Sequence, residues 1–538
     1  MASAGHHSSA GNGSTVVLRV EEGQIEGEIH RNLMVFKGIP FAQPPVDALR
    51  WCPPEPAIPW NGIRQTKEFG PSCPQAWHKS RNFYFSNMKV MSEDCLYLNV
   101  WAPVQKKEEK KRPVLVWIHG GGFTSGTTSS PLYDGGNLAR KGVVFVSIAY
   151  RTGPFGFLAH PLLSKQSEDG TSGTYGLLDQ IAALKWIKKN IEVFGGDPSE
   201  VTVMGESAGA ISIGILVLSP LARGLFVRAI SQSGGALQPP RSWRSFLAND
   251  AALSMPFLSV AEEQGRYFLN EIRTRTLAQA YALEAEELVR AAGPDMAKFW
   301  PPLDGKILPG EPYALYEAGL YNDIPVLCGT NSDEGALFMP HTGVELFRFG
   351  VEKQFGIFSQ KLLTVFAANS DSASLRAARD LVGDSLFRWP TWTWGRLQAR
   401  TGGSPVYPYL FCRKTEDTTL PGPVGALHAT EIAFAFGNPQ VGWTDEDYEL
   451  SELMSNYWIN FVRTGDPNGG ELAKWEAGDE HGLRLMKFDR KKSGMIKEPC
   501  LERLKMLDRY FAWRRSELVQ PCHPCIEEND VWNEKTGG

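Results

Sequence analysis

Three short apolar runs constrain the fold of this 538-residue chain more than any other feature of its sequence. They are residues 114–118 (VLVWI), 143–149 (VVFVSIA) and 201–204 (VTVM). Strands that are apolar at every position are buried on both faces, which is typical of a parallel sheet covered by helices. Apolar residues recur at every third or fourth position over residues 177–194 and predict an amphipathic helix between the last two runs. This order predicts an α/β fold with a large, mostly parallel central sheet and helices on both faces.

Charge and hydropathy exclude two classes of partner. Lys and Arg number 55 against 60 Asp and Glu, which leaves a net charge of -5 and no basic surface for nucleic-acid phosphates. No apolar run in the sequence approaches the roughly 18 residues that a membrane-spanning helix needs. We therefore expect neither a nucleic-acid partner nor stable insertion into a membrane.

A serine flanked by glycines is the first candidate for chemistry. Residues 205–209 (GESAG) follow the predicted strand at 201–204 and precede an apolar helical stretch at 211–218. A sharp turn from strand to helix strains the serine backbone and exposes its Oγ, while small flanking residues let the two elements approach. This context predicts Ser207 as a nucleophile. On this motif alone, a serine in an ordinary glycine-bounded loop is the alternative.

A glycine run supports the nucleophile interpretation. Residues 119–123 (HGGGF) end the predicted strand at 114–118, and side chains do not obstruct their backbone N–H groups. Such amides can bind the oxyanion of a tetrahedral intermediate, which contributes roughly 3 kcal/mol per donor. We expect the donors to be the amides of Gly121, Gly122 and Ala208. A merely flexible turn would not explain why both strand-glycine motifs occur in one chain.

A serine hydroxyl becomes a good nucleophile only when a histidine, oriented by a carboxylate, takes its proton. In folds that present a serine on such a turn, the chain order is Ser, acid, His. The histidines downstream of the serine are His341, His428, His481 and His523. Position favours His428, because it lies on a predicted loop before the apolar stretch at 432–436.

The acid has two candidates. Residues 326–329 form a short apolar strand, and Asp333 and Glu334 follow it. A carboxylate just past the end of a strand occupies the place of the third member. The chemistry of a carboxylate does not distinguish Asp333 from Glu334 as the catalytic acid.

Six short motifs occur in a fixed order between residues 36 and 209. They are residues 36–42 (FKGIPFA), 92–99 (SEDCLYLN), 119–123 (HGGGF), 150–157 (YRTGPFGF), 190–198 (NIEVFGGDP) and 205–209 (GESAG). Together they resemble the type-B carboxylesterase family, which includes cholinesterases and the fungal carboxylesterase-like lipases. The resemblance extends from about Gly23 to about Val519.

The resemblance implies an α/β-hydrolase fold and hydrolysis of a small-molecule ester through an acyl-enzyme, with no metal and no cofactor. The family's DEG motif matches residues 333–335, and its glutamate is catalytic, so the implied triad is Ser207, Glu334 and His428. The further implied features are a disulfide between Cys73 and Cys95, ion pairs of Arg50 with Glu93 and of Arg151 with Asp179, and the positions of Glu206 and Ser233 beside the triad.

Departures from the family pattern bear on the substrate. Cholinesterases hold a quaternary ammonium by a cation–π contact with a tryptophan whose position is Phe85 here, which argues against cholinesterase activity. Aromatic residues fill the loop at 74–91, which predicts a lid, a gorge wall or a buried flap. A lipase whose aromatic lid opens at an oil–water interface is therefore the alternative function. An adhesion or binding protein with the same fold is the alternative from another class, and the natural ester and the oligomeric state stay open.

The two ends of the chain differ in composition from its middle. Residues 1–15 are rich in Gly, Ser and His and lack the apolar core of a signal peptide, which predicts a disordered tail and a cytoplasmic protein. If Met1 replaces a removed leader, we expect a secreted protein instead. No repeat or low-complexity linker interrupts residues 16–519, so we predict one α/β-hydrolase catalytic domain there and a C-terminal tail at 520–538.

Overall fold

One continuous β-sheet forms the centre of the molecule. The structure is a computed structural model and describes residues 14–76, 90–104, 110–242, 254–293, 295–414 and 419–518. The strands are β1 (Ser14–Val20), β2 (Gly23–His30), β3 (Leu33–Pro40), β4 (Ile63–Gln65), β5 (Tyr97–Pro103), β6 (Arg112–Ile118), β7 (Val144–Ile148), β8 (Gly196–Glu206), β9 (Arg228–Gln232), β10 (Val326–Asn331), β11 (Val406–Phe411), β12 (Arg484–Phe488) and β13 (Gly494–Lys497). Their order in the sheet is β1-β2-β3-β5-β7-β6-β8-β9-β10-β11-β12-β13, with β4 paired to β2.

The middle of the sheet is parallel. Every neighbouring pair from β7 through β6, β8, β9, β10 and β11 to β12 runs parallel, whereas the other pairs on this path are antiparallel. The carboxyl ends of parallel strands meet at one edge of a sheet, where α/β proteins bind their ligands. The loops that follow β6, β8 and β10 therefore lie at one edge, and they contain the predicted glycine run, nucleophile and acid.

Helices connect the strands. They are α1 (Gly136–Arg140), α2 (Gly153–Phe157), α3 (Pro161–Gln166), α4 (Tyr175–Asn190), α5 (Ala208–Leu218), α6 (Leu258–Glu271), α7 (Leu277–Tyr281), α8 (Ala285–Ala292), α9 (Pro312–Glu317), α10 (Val344–Phe355), α11 (Ser359–Val365), α12 (Asp371–Gly383), α13 (Trp389–Thr401), α14 (Glu431–Phe436), α15 (Asp445–Thr464) and α16 (Leu501–Ser516). Within the described ranges, no helix combines the length and the apolarity that crossing a membrane requires.

Two hydrophobic cores flank the sheet. Successive side chains of a strand point to opposite faces, so Val116 of β6 packs in one core and Trp117 packs in the other. The first core includes Leu184 of α4, and the second includes Trp458 of α15. Helices therefore cover both faces, which confirms the predicted α/β fold.

The strands extend further than the apolar runs that predicted them. β8 begins at Gly196 and not at residue 201, because Gly196 pairs with Arg112 of β6. β1 begins at Ser14, where it pairs with Ile29, so the predicted disordered tail is wrong for residues 14 and 15. Backbone hydrogen bonds decide these ends, and an apolar pattern does not report them. Residues 1–13 and 519–538 lie outside the described ranges.

The disulfide implied for Cys73 and Cys95 is absent, and both residues are buried free thiols. The Sγ of Cys73 accepts a hydrogen bond from the backbone N–H of Thr152 at 3.3 Å. A hydrogen bond with Cys73, together with burial, raises the pKa of the Cys95 thiol. Protonated thiols pack as small apolar side chains, and this state accounts for the two cysteines without a bond between them.

Both implied ion pairs are present. Arg50 Nη2 lies 2.5 Å from Glu93 Oε1, and Arg151 Nη2 lies 2.7 Å from Asp179 Oδ1. The second pair is almost completely buried, with Arg151 2% exposed. Removing one partner of such a pair would leave a buried charge without compensation.

Candidate active site

Ser207 lies on a strained turn between β8 and α5. Its backbone has φ 55° and ψ -122°, a conformation that residues other than glycine rarely adopt. Its N–H donates to Gln232 O at 2.9 Å, which holds the turn against β9. A Cβ at Gly209 would lie 2.1 Å from Ile118 O, and one at Gly205 would lie 2.8 Å from the backbone of Gly209. Both positions therefore require glycine for the strand and the helix to approach this closely.

A short hydrogen bond joins His428 to Glu334. The imidazole Nδ1 lies 2.6 Å from Glu334 Oε2, and Glu334 is only 3% exposed. The other oxygen of Glu334 accepts from Ser233 Oγ and from the Asn331 N–H, both at 2.6 Å. These bonds fix the carboxylate, which in turn fixes the orientation of the ring. Ser207 and His428 border the same cavity, so the structure brings the three predicted triad residues together.

Glu206 places a second buried carboxyl beside the imidazole. Its Oε1 lies 3.0 Å from His428 Nε2. Burial raises the pKa of Glu206, whereas the charge of a protonated His428 lowers it, so each group stabilises the charged form of the other. Burial alone would lower the pKa of His428, but the charges of Glu206 and Glu334 outweigh it and raise that pKa. The surroundings therefore stabilise the protonated imidazole, the form that a histidine takes when it accepts a proton from serine.

Glu431 is a third buried acid at the site, and the sequence analysis missed it. It begins α14, and its Oε1 accepts from Gln232 Nε2 at 3.1 Å while its Oε2 accepts from Asn331 Nδ2. Burial, with the charge of Glu334 next in size, raises the pKa of Glu431 to about 7. The sequence does carry a signal, a single acid at the start of an apolar helical run (EIAFAF). An acid buried among apolar residues needs specific polar partners, so such a position is worth singling out.

The glycine run forms a loop that only glycine can build. Gly121 and Gly122 have φ values of 113° and 62°. A Cβ at Gly121 would lie 2.1 Å from Ser125 O, and the N–H of Ser125 donates back to Gly121 O at 3.1 Å. Gly121, Gly122 and Ala208, the three predicted amide donors, all border the cavity beside Ser207.

The cavity has a volume of about 370 Å³ and mostly apolar walls. Its large apolar lining residues are Ile211, Val289, Met296, Phe299, Trp300, Leu337, Phe338, Leu386 and Phe387. Met296 packs directly over the glycine loop, since a Cβ at Gly122 would lie 2.9 Å from its Sδ. The cavity suits an uncharged organic group of limited size next to the serine.

Aromatic residues from several loops differ in whether they border the cavity. Phe338 lines the cavity, with its ring centroid 5.4 Å from that of His428. Phe155 is buried and is not part of the cavity lining. Trp243 lies outside the described residues. The sequence predicts an aromatic lid at residues 74–91. Residues 74–76 of this loop line the cavity, and residues 77–89 lie outside the described residues.

The remaining candidates lie away from the imidazole. Asp333 is buried, and its Oδ2 accepts from the Gly425 N–H at 2.9 Å and pairs with Arg376 at 3.2 Å. His341 and His481 are exposed, and His523 lies outside the described residues. Within the part of the chain that the structure describes, no group of three or more His, Cys, Asp or Glu side chains is arranged to hold a metal ion.

Several known proteins resemble this chain over most of its length. A sequence model described as "Carboxylesterase family" matches residues 14–506. The chain is 36% identical to fumonisin B1 esterase of Sphingopyxis macrogoltabida, over 88% of this chain and 86% of that protein. It is also 36% identical to para-nitrobenzyl esterase of Bacillus subtilis (strain 168), over 88% and 94% of the two chains. A solved structure of a PNB esterase superposes with a TM-score of 0.76 at 33% identity, covering 91% of this chain and 99% of that one.

Proposed function

This chain belongs to the carboxylesterase family and hydrolyses carboxylic esters, and we propose that Ser207, His428 and Glu334 carry out the reaction. The observation that carries the proposal is the 2.6 Å hydrogen bond from His428 to Glu334, at a cavity that Ser207 also borders. Ser207, His428 and Glu334 would then serve as the nucleophile, the base and the orienting acid that acyl transfer requires.

The reaction proceeds in two halves. Ser207 Oγ attacks the carbonyl carbon of the ester while His428 Nε2 takes the hydroxyl proton, and the carbonyl oxygen becomes an oxyanion. The amides of Gly121, Gly122 and Ala208 stabilise that oxyanion by hydrogen bonds. The C–O bond to the alcohol then breaks, and His428 gives its proton to the leaving alkoxide. Water then attacks the acyl-serine in the same way, with His428 again accepting the proton and returning it to Ser207 Oγ, and the carboxylic acid is released.

The cavity supports a neutral ester with a short or medium acyl group as the substrate. Its walls are mostly apolar, and its volume of about 370 Å³ is at the small end of the range for ligand sites. Two relatives are named for different substrates, as fumonisin B1 esterase and para-nitrobenzyl esterase, which indicates that substrates vary within this family. We therefore propose the ester class and leave the alcohol unspecified.

Hydrolysis of 4-nitrophenyl esters from acetate to palmitate tests the proposal. Wild-type protein should turn over short esters well and long ones poorly, and Ser207→Ala should lose activity on all of them. A matched control is Ser129→Ala, because Ser129 is a half-buried serine that does not border the cavity. Preference for long chains with a jump above their solubility limit would favour the lipase alternative. Full activity of Ser207→Ala would overturn the assignment of the nucleophile.

A further inference from the structure

A π-helical turn at Asp384–Arg388 has two sides with different chemistry. Leu386 and Phe387 line the active-site cavity, and the Phe387 ring centroid lies 4.3 Å from that of His428. Asp384 and Arg388, on the same turn, are buried and contact residues at the start of α16. Turns of this type recur at functional sites, because they present side chains that a regular helix would direct elsewhere.

Arg503 of α16 contacts this turn and the end of α12 just before it. Its Nε lies 2.7 Å from Asp384 Oδ2. Its Nη1 donates to Asp380 Oδ2 at 2.6 Å, and its Nη2 donates to Cys500 Sγ at 2.8 Å. Cys500 Sγ also accepts from Arg388 Nη1 at 2.6 Å, so the two arginines meet at one sulfur. A planar guanidinium that bonds in several fixed directions is well suited to holding elements in register.

The same network reaches the loops that carry the acid and the base. Asp380 also accepts from Arg376 Nη2 at 2.6 Å, and Arg376 Nη1 donates to Asp333 Oδ2 at 3.2 Å. Asp333 precedes Glu334 in the chain, and its Oδ2 accepts from the N–H of Gly425 on the loop that leads to His428. Arg503 is thus linked to the base from two sides, through the ring of Phe387 and through the acid loop.

We propose that Arg503 is a positioning residue for ester hydrolysis. From the C-terminal helix it fixes the π-helical turn, and through that turn it keeps Phe387 against the imidazole of His428. A ring packed on the imidazole restricts its rotation, so the base stays aligned with the serine and the substrate. The inference rests on the proposed roles of Ser207 and His428.

The test compares Arg503→Gln with wild type on 4-nitrophenyl acetate. Active sites are counted by the burst from 4-nitrophenyl dimethylcarbamate, so that misfolded protein does not enter the rate. We expect kcat per titrated site to fall about tenfold with KM within about twofold, because alignment matters most in the transition state. The apparent pKa on the acidic limb of kcat/KM should also move. Arg503→Lys should recover kcat only in part, to a value between those of Arg503→Gln and wild type, since a cation returns to the site but one ammonium cannot make all the bonds of the guanidinium.

Two further variants keep the test decisive. Arg400→Gln removes an arginine–carboxylate pair elsewhere, with Glu317 on the surface, and should leave kcat and the pH profile unchanged. Asp384→Asn removes the partner of Arg503 on the turn and should reproduce the fall in kcat, which covers the case that Arg503→Gln does not fold.

A double-mutant cycle tests the route through Phe387. If Arg503 acts through that ring, Phe387→Leu combined with Arg503→Gln should be no slower than the slower single variant. If the losses in kcat of the two single variants multiply in the double variant, the proposed route through Phe387 is wrong. An unchanged kcat per titrated site in both Arg503→Gln and Asp384→Asn would overturn the inference itself. Failure of the proposed function gives a different result, because wild-type protein would then show no burst.

Discussion

At the scale of single residues, two neighbouring acids have different surroundings. Glu334 accepts hydrogen bonds from Ser233 and Asn331 and contacts the imidazole of His428. Asp333 accepts from the Gly425 backbone and pairs with a partly exposed arginine. The first set of contacts suits the proposed role of orienting a base, whereas the second joins two loops.

Glu334→Gln should therefore lower kcat by about 10³- to 10⁴-fold, because an amide neither fixes the same tautomer of His428 nor stabilises the imidazolium. Asp333→Asn is the matched control, and its kcat should fall by less than about 100-fold, because Asp333 does not contact the ring. Steady-state kinetics on one short ester measures both. The reverse ranking of the two variants would show that the acid has been misassigned.

The pH profile tests the second carboxyl beside the imidazole. Glu206 and Glu334 raise the pKa of His428, and the reaction needs the neutral ring as base. Glu206→Gln removes one of these charges, so the pKa of His428 should fall and the acidic limb of kcat/KM should move to lower pH. Profiles of the two proteins on one ester would show the shift. An unchanged limb, or one at higher pH, would contradict the electrostatic role of Glu206.

Local motifs predicted Ser207 and the glycine loop from sequence, because the chemistry there depends on residues that are adjacent in the chain. The choice between Asp333 and Glu334 depends on Ser233 and His428, which come from other strands and loops. Residue chemistry alone left that choice open, and only the family resemblance pointed to Glu334. Glu431 was missed for the same reason, since its partners are distant in sequence.

At the scale of elements, the first turn of α15 depends on one buried acid. Asp447 Oδ2 accepts from the N–H of Thr444 at 3.0 Å in a capping box. Arg413 and Arg490 both donate to the same carboxylate through two nitrogens each. Burial alone would raise the pKa of Asp447, but these hydrogen bonds outweigh it and hold that pKa well below its usual range.

Asp447→Asn should lower the stability of the fold by roughly 3 to 5 kcal/mol at pH 7, because both arginines lose a buried anionic partner. A depressed pKa gives stability that is present above the unfolded value, about 3.9, and is lost as the pH falls towards the folded value. The difference in Tm between variant and wild type should therefore shrink below about pH 4. Thermal unfolding at pH 7 and pH 3.5 measures it, and a difference that grows in acid would contradict the argument.

The apolar strands and α4 were predictable because periodic burial marks them. The π-helical turn at Asp384–Arg388 was not, because its conformation follows from contacts with α16 and the cavity and not from its own sequence. The start of β8 at residues 196–200 was missed because no apolar pattern marks it, and only the pairing of Gly196 with Arg112 extends the strand that far. The implied disulfide failed because a matching pair of cysteines does not determine whether their thiols are oxidised.

At the scale of the whole molecule, the two cores share the strands that separate them. Residues of one strand alternate between the cores, so disturbing either core disturbs the common sheet. The sheet was predictable from its continuous apolar strands. The cavity was not, because its walls come from residues 74–76, 120–126, 289–293, 296–300, 337–338 and 386–387, which only the complete fold brings together.

We therefore expect the described part of the chain to unfold in one calorimetric transition. Trp458→Ala should shift that transition to lower temperature by removing a fully buried ring, which costs roughly 3 to 5 kcal/mol. Glu449→Ala, at an exposed position of the same helix, is the control and should change little. Two transitions, of which only one moves in Trp458→Ala, would show that the cores unfold independently.

The most direct test of the account is to trap the acyl-enzyme and locate it. Protein is quenched in acid during turnover of a 4-nitrophenyl ester and digested, and the masses of the peptides are measured by mass spectrometry. We expect an acyl group on Ser207, absent from Ser207→Ala, and a slower gain of the same adduct in His428→Ala. Rapid turnover with no adduct on Ser207, or with an adduct on another residue, would contradict the central claim.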